Sequence, residues 1–257
     1  MFDMAGDNAI QFGLGEPDFQ PPPIAIEAFS KAMKDGRNKY TTTAGLPDLR
    51  AKIAEMWHHL VPSLDESNVC ITMSGTNGLL DIFLALVQPG DNVLLPEPYF
   101  PLYPPDVVIC GGEPNLYPCT FENGFVPTIE DLQSRVDENT VAILYNFPSN
   151  PTGGSATIEG LRELADAARR HRLVLLSDEI YDAYCYNATN EPGGDLVHCP
   201  SPASYSSDLL LLRGFSKTYA MTGWRLGYIV GPRPLIEQMT KLQQYSFVCA
   251  PSMAQIA

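Results

Sequence analysis

Short segments of this 257-residue sequence carry side chains that could act together on a single ligand: Gly75-Thr76-Asn77, Asn150 in NFPSNPTGG, Asp178 and Tyr181 in SDEIYDAY, and Lys217 and Arg225 in GFSKTYAMTGWRLGY. Each alone has a plainer reading. A glycine before a helix is most often a turn, an aspartate after a strand an N-cap, and a single lysine a solvated charge. Together they fall at the carboxyl ends of successive strand-like runs, where one anionic aromatic cofactor could touch them all. Ligands of open α/β sheets bind along that edge.

The elements that must position these residues show in the hydrophobic pattern. Helical spacing runs over Ile24–Lys34, over Pro47–Leu60 with Leu49, Ile53, Trp57 and Leu60 on one face, and over Thr157–Arg170. It also runs over Thr128–Val136, where a capping Thr128 is followed three residues on by Asp131. Residues 76–87 are apolar almost all round, which predicts a central helix buried between other elements. Short apolar runs at Asn92–Leu95, Val107–Ile109, Val141–Leu144, Leu173–Leu176, Leu209–Leu212 and Leu226–Val230 predict strands. Alternating strands and helices, with strands apolar on both faces, predict an α/β fold of three αβα layers around a mostly parallel, mixed sheet. Residues 214–225 are barely long enough for a crossover helix, so the last strand is expected to run antiparallel.

Composition narrows the function classes. Thirty acidic against sixteen basic side chains give a net charge of −14, and no Lys/Arg-rich run is present, which argues against nucleic acid and anionic membranes as partners. No basic, apolar leader and no membrane-length apolar window is present, so a soluble, cytoplasmic protein is expected. Charged residues make up 18%, against a typical ~25%, which hints at a buried interface. The cysteines at 70, 110, 119, 185, 199 and 249 lack C-x-x-C spacing, so reduced thiols are expected, with no disulfide framework and no metal site. GLGEPD is no dinucleotide fingerprint, because Asp18 stands where the third glycine is needed, and no P-loop sequence occurs.

N-x-P-x-N-P-T-G at 146–153, D-E-x-Y at 178–181 and S-K-x-x-x-x-x-x-x-R at 216–225, with GLGEPDF at 13–19, resemble the class I/II aminotransferases, pyridoxal-phosphate enzymes of the aspartate aminotransferase fold. The resemblance runs from Gly13 to the last residues. It implies that Lys217 forms an imine with the aldehyde of pyridoxal 5′-phosphate and later moves the substrate proton. Asp178 would face the pyridine nitrogen, and Asn150 and Tyr181 the phenolic oxygen, with Tyr181 counted among the catalytic groups. Gly75, Thr76, Asn77, Ser216 and Arg225 would hold the phosphate. Phe100 would stack on the ring, with Tyr99 and Tyr103 competing for that place, and Gly15 and Asn150 would meet the substrate. Gly214 stands where many relatives have a phosphate-binding serine. Tyr40 matches a residue that reaches the neighbouring subunit's phosphate, which implies a homodimer with shared sites.

The expected reaction moves an amino group between an α-amino acid and a 2-oxo acid. A β-lyase, a cyclopropane-forming synthase and a non-catalytic cofactor-binding module remain as alternatives. Family members continue past the segment matching Gln255 into a smaller domain holding the arginine that clamps the substrate α-carboxylate. Residues 1–40 are therefore expected to form an N-terminal arm and part of the small-domain side, and 41–257 the cofactor-binding large domain.

Overall fold

The computed structural model describes residues 10, 13, 15–184, 186 and 198–257. Leu14 and Cys185 lie outside the described residues. The elements in chain order are α1 (Pro23–Lys34), α2 (Pro47–Trp57), β1 (Val69–Thr72), α3 (Gly75–Leu86), β2 (Asn92–Glu97), α4 (Tyr103–Ile109), β3 (Glu113–Pro118) and α5 (Ile129–Gln133). There follow β4 (Thr140–Asn146), α6 (Ile158–His171), β5 (Val174–Asp178), β6 (Leu209–Gly214), β7 (Gly227–Val230), α7 (Arg233–Ser246) and α8 (Ser252–Ile256).

The strands form one sheet in the order β1-β7-β6-β5-β4-β2-β3. The neighbours from β3 across to β6 are parallel, while β7 is antiparallel to both β6 and β1. Both faces are buried, as the apolar runs require. Along β6, Leu209 and Leu211 join a core shared with Trp57 of α2 and Leu161 and Leu164 of α6, while Leu210 and Leu212 join a core shared with Leu79, Ile82 and Phe83 of α3 and Val107 of α4. Alternation of side chains along each strand thus builds the three layers.

Local chemistry explains the helix starts. Thr128 and Asp131 form a reciprocal capping box at α5, and Thr157 accepts from the Gly160 N–H at α6. Prolines occupy the first turns of α1, α2, α4 and α7, where the missing N–H costs nothing.

The expected strand at Val107–Ile109 is instead the last part of α4. Three apolar residues cannot reveal their period, and Pro104 and Pro105 just before them pre-set a helical turn. Strands β1 and β3 and helix α7 stand beyond the expected elements. β3 reads Glu-Pro-Asn-Leu-Tyr-Pro, with two prolines that an edge strand tolerates and a central strand would not. α3 is packed between other elements as expected, here α4, α7 and the sheet, but Leu84 remains exposed, so its burial is not complete all round. Cys70, Cys110, Cys119 and Cys249 are in no disulfide, with Cys70 and Cys119 buried.

Burial also traps acids. Asp81 of α3 is 1% exposed and its Oδ2 has no partner; burial pushes its pKa up to about 7. The folded value lies above the unfolded one, so this carboxyl favours folding fully below about pH 4 and loses that contribution as the pH rises through about 7. The melting temperature of the cofactor-free chain is therefore expected to fall between about pH 5 and about pH 8, and Asp81→Asn to flatten that slope and raise the value at the alkaline end. Circular-dichroism melts at both pH values measure it; a variant with the parental slope would show that Asp81 is not the group responsible.

Candidate active site

The parallel register brings the chemistry to one edge. Asn146 at the end of β4 pairs with Asp178 at the end of β5, which pairs with Leu212 of β6, five residues before Lys217. Asp178 is buried. Its Oδ2 accepts from the Tyr103 hydroxyl at 2.8 Å and its Oδ1 from the Ile180 N–H at 3.2 Å. Burial outweighs both bonds and pushes its pKa up to about 6. Such an acid is poised for a cationic partner that would restore its charge.

Asn146 fixes the next loop: its Nδ2 donates to the Asp178 carbonyl at 3.0 Å, and its Oδ1 accepts from the Asn150 N–H at 2.8 Å. Asn150 in turn donates through Nδ2 to the Tyr181 hydroxyl at 3.3 Å. Phe100 meets Tyr103 edge to face, with centroids 5.6 Å apart, on the side of the site where Tyr103 reaches Asp178. Tyr103 itself is fully buried and donates its hydroxyl proton to Asp178.

Lys217 is half-buried. Its amine donates to the Gly15 carbonyl and lies 6.0 Å from the Tyr181 ring centroid. Desolvation lowers its pKa; nearby Glu16 opposes the shift and the Arg225 charge assists it. Glu16 also accepts from the Thr222 hydroxyl, so the 15–16 segment crosses the mouth of the site tied at two points. Ser216 is buried beside Lys217, and Arg225 is exposed, in the left-handed backbone region at φ 55°, donating to the Thr222 carbonyl at 3.0 Å.

The N-terminus of α3 completes the edge. Ser74 caps it at φ 85°, its hydroxyl accepting from the Asn77 N–H at a long 3.4 Å, and the first-turn N–H groups, Thr76 included, have no intrahelical acceptor. The Asn77 Oδ1 is buried without a partner. Gly227 of β7 packs directly against this turn: a Cβ there would lie 2.6 Å from the Gly75 nitrogen and 2.7 Å from the Ser74 carbonyl carbon. The expected residues Gly15, Gly75, Thr76, Asn77, Phe100, Asn150, Asp178, Tyr181, Ser216, Lys217 and Arg225 all border this edge. Tyr40 does not join them; it is 83% exposed and hydrogen-bonds to none of them.

Sequence reasoning passed over Asn146, although it opens the N-x-P motif, and over Glu16, Glu179, Asp182 and Arg213. Among the described residues, no group of three or more His, Cys, Asp or Glu side chains could hold a metal ion, and no helix is long and apolar enough to cross a membrane.

The αβα domain with this mixed seven-stranded sheet has the fold of the aspartate aminotransferase large domain. The family model for aminotransferase class I and II matches residues 7–257, and the chain belongs to that family. It is 35% identical to an aspartate aminotransferase of Pyrococcus horikoshii over 252 residues, covering 98% of this chain and 63% of that protein. It is 33% identical to aromatic-amino-acid aminotransferase 2 of Thermococcus litoralis over 261 residues, covering all of this chain and 66% of that one. The solved aspartate aminotransferase of Thermus thermophilus with maleate superimposes at a TM-score of 0.88 with 34% identity, over 95% of this chain and 62% of that one. The chain thus spans a little under two thirds of the length of the relatives it matches first.

Because the clash at Gly227 is with backbone atoms, Gly227→Ala is expected to push the α3 N-terminus off β7 and destabilise the chain by about 1–3 kcal/mol. Affinity for inorganic phosphate, followed by titration in the folded protein, should fall more than stability alone accounts for. Unchanged affinity would place the phosphate elsewhere.

Proposed function

We propose that this chain is the large-domain portion of an aminotransferase that moves an amino group between an α-amino acid and a 2-oxo acid with pyridoxal 5′-phosphate. The observation that carries the reading is the convergence of the Lys217 amine, the Asn150–Tyr181 pair and buried Asp178 at the edge closed by the α3 N-terminus. The donor set fits the cofactor: a lone desolvated amine for its aldehyde, a buried acid for its ring nitrogen, a hydroxyl with an amide donor for its phenolic oxygen, and free helix N–H groups with Arg225 for its phosphate. When bound, this cofactor supplies a conjugated cationic ring able to take up the electron pair of a broken Cα–H bond.

The protein's own work is then positional and protonic. Asp178, whose charge burial disfavours while no cation faces it, would be ionised against a protonated ring nitrogen, holding the proton there and balancing its charge. Lys217, its pKa lowered by desolvation, keeps a larger unprotonated fraction than a surface lysine and can take and return the substrate proton at Nζ. Tyr181 and Asn150 would hold the phenolic oxygen, and Phe100 would pack against the ring. The exposed Gly15 segment, whose carbonyl accepts from Lys217, would offer its backbone to the substrate. Aspartate and aromatic amino acids are the donors to test first, since the relatives bear those names.

The same reading assigns residues 1–40 to an N-terminal arm and the small-domain side, 41–257 to the cofactor-binding domain, and the whole protein to a cytoplasmic homodimer. The exposure of Tyr40 supports a role across a subunit boundary.

Borohydride treatment with pyridoxal phosphate is expected to label Lys217 in peptide maps, and Lys217→Ala to abolish labelling; a label on another lysine overturns the assignment. The full-length protein given an amino donor and 2-oxoglutarate should form glutamate. Release of ammonia with a keto acid would indicate lyase chemistry, and neither product would indicate a binding module. Asp178→Asn should leave the fold intact and cut glutamate formation by about a hundredfold or more; near-parental turnover would make the carboxylate merely structural.

A further inference from the structure

Beneath the proposed site, on the sheet face occupied by α2, the structure buries a cluster of charges that the reaction itself does not use. The Arg213 guanidinium, 4% exposed, donates through Nε at 3.1 Å and Nη2 at 2.5 Å to Glu179 Oε2, and through Nη1 to Asp182 Oδ2. It lies 4.0 Å over the Trp57 ring. The remaining acceptors are filled: Glu179 Oε1 takes hydroxyl protons from Ser177 and Ser201, and Asp182 meets His198 and, at 3.4 Å, Thr218. Although burial works to raise it, hydrogen bonding to His198 and the Arg213 charge hold the Asp182 carboxyl below its ordinary value.

What this cluster joins is specific. Glu179 and Asp182 flank the turn that presents Tyr181 and follow Asp178, while Arg213 and Thr218 bracket Lys217. The Glu179 N–H also donates to the Leu212 carbonyl at 2.9 Å, and the Tyr184 hydroxyl to the Lys217 carbonyl at 3.0 Å. We infer that Arg213, acting through Glu179 and Asp182, is a positioning residue that locks the Asp178–Tyr181 turn to the Lys217 turn and so sets the placement of the lysine amine against Tyr181. This inference rests on the reading of Lys217 as the cofactor-binding lysine.

Two physical points favour positioning over plain stabilisation. A buried ion cluster is commonly no more stabilising than uncharged side chains of similar shape, because desolvation offsets the attraction. A planar guanidinium, in contrast, fixes two carboxylates in direction as well as distance, which an ammonium cannot do.

The test compares the parent with Arg213→Lys and with an Arg213→Met/Glu179→Gln/Asp182→Asn chain whose triad is uncharged, which leaves no unpaired buried charge from it. Three quantities are measured: the melting temperature, the pH titration of Lys217 in the cofactor-free protein by NMR of isotope-methylated lysines, and the rate at which borohydride traps pyridoxal phosphate on Lys217. Arg213→Lys is expected to melt near the parent, to move the Lys217 titration up toward the ordinary lysine value and to slow trapping about tenfold, since small misplacements cost that much or more. The triple variant should show both shifts at least as strongly. Parental titration and trapping in a folded variant overturn the inference, as does a loss that merely follows the melting temperature. If the parent itself is never trapped at Lys217, the aminotransferase reading fails separately, and the Lys217 titration still decides whether Arg213 positions that amine.

Discussion

The parallel pairing of β4, β5 and β6 is the constraint from which the rest follows. Parallel strands deliver their carboxyl ends to a common edge, and the register Asn146, Asp178, Leu212 sets which side chains meet there. A slip of one residue would turn Asp178 to the opposite face and leave the Tyr103 hydroxyl without its acceptor. The two hydrophobic cores prevent such a slip, because it would also exchange every leucine of a strand between them.

That edge withdraws its ionisable groups from water. Burial drives Asp178 toward its neutral form and likewise favours the uncharged form of Lys217. One cause thus favours a bound proton on the acid and a free electron pair on the amine. The same burial without a partner, as at Asp81, has no evident use in the site and makes the cofactor-free chain sensitive to alkali.

Much of this was legible in the sequence. Strands apolar on both faces implied helices on both sides of the sheet, and the short 214–225 connection implied the antiparallel β7. The motifs carried the cofactor-facing residues because each is tied to a turn with its own residue demands. Less legible were features whose cause is tertiary. β3 shows little apolar alternation because it is an edge strand, mostly only half-buried and carrying two prolines, and Val107–Ile109 has no period long enough to read. Arg213, Glu179 and Asp182 looked like ordinary charges, since nothing in a linear sequence reveals that one guanidinium faces two carboxylates drawn from a different loop.

The prolines of β3 have a meaning beyond their tolerance at an edge. The N–H groups of Glu113 and Cys119 point inward, to the carbonyls of Asp91 and Glu97, so the alternate positions 114, 116 and 118 point away from the sheet. Two of those three positions are Pro114 and Pro118, which leaves Leu116 as the lone outward donor along the strand. At the opposite margin the Ile71 N–H is already taken by the Ala44 carbonyl. A sheet blunted in this way offers a foreign strand almost nothing to zip onto. Newly made or crowded copies of the chain are thus guarded against ribbon-like aggregation, and any assembly they form must be built through helices and loops.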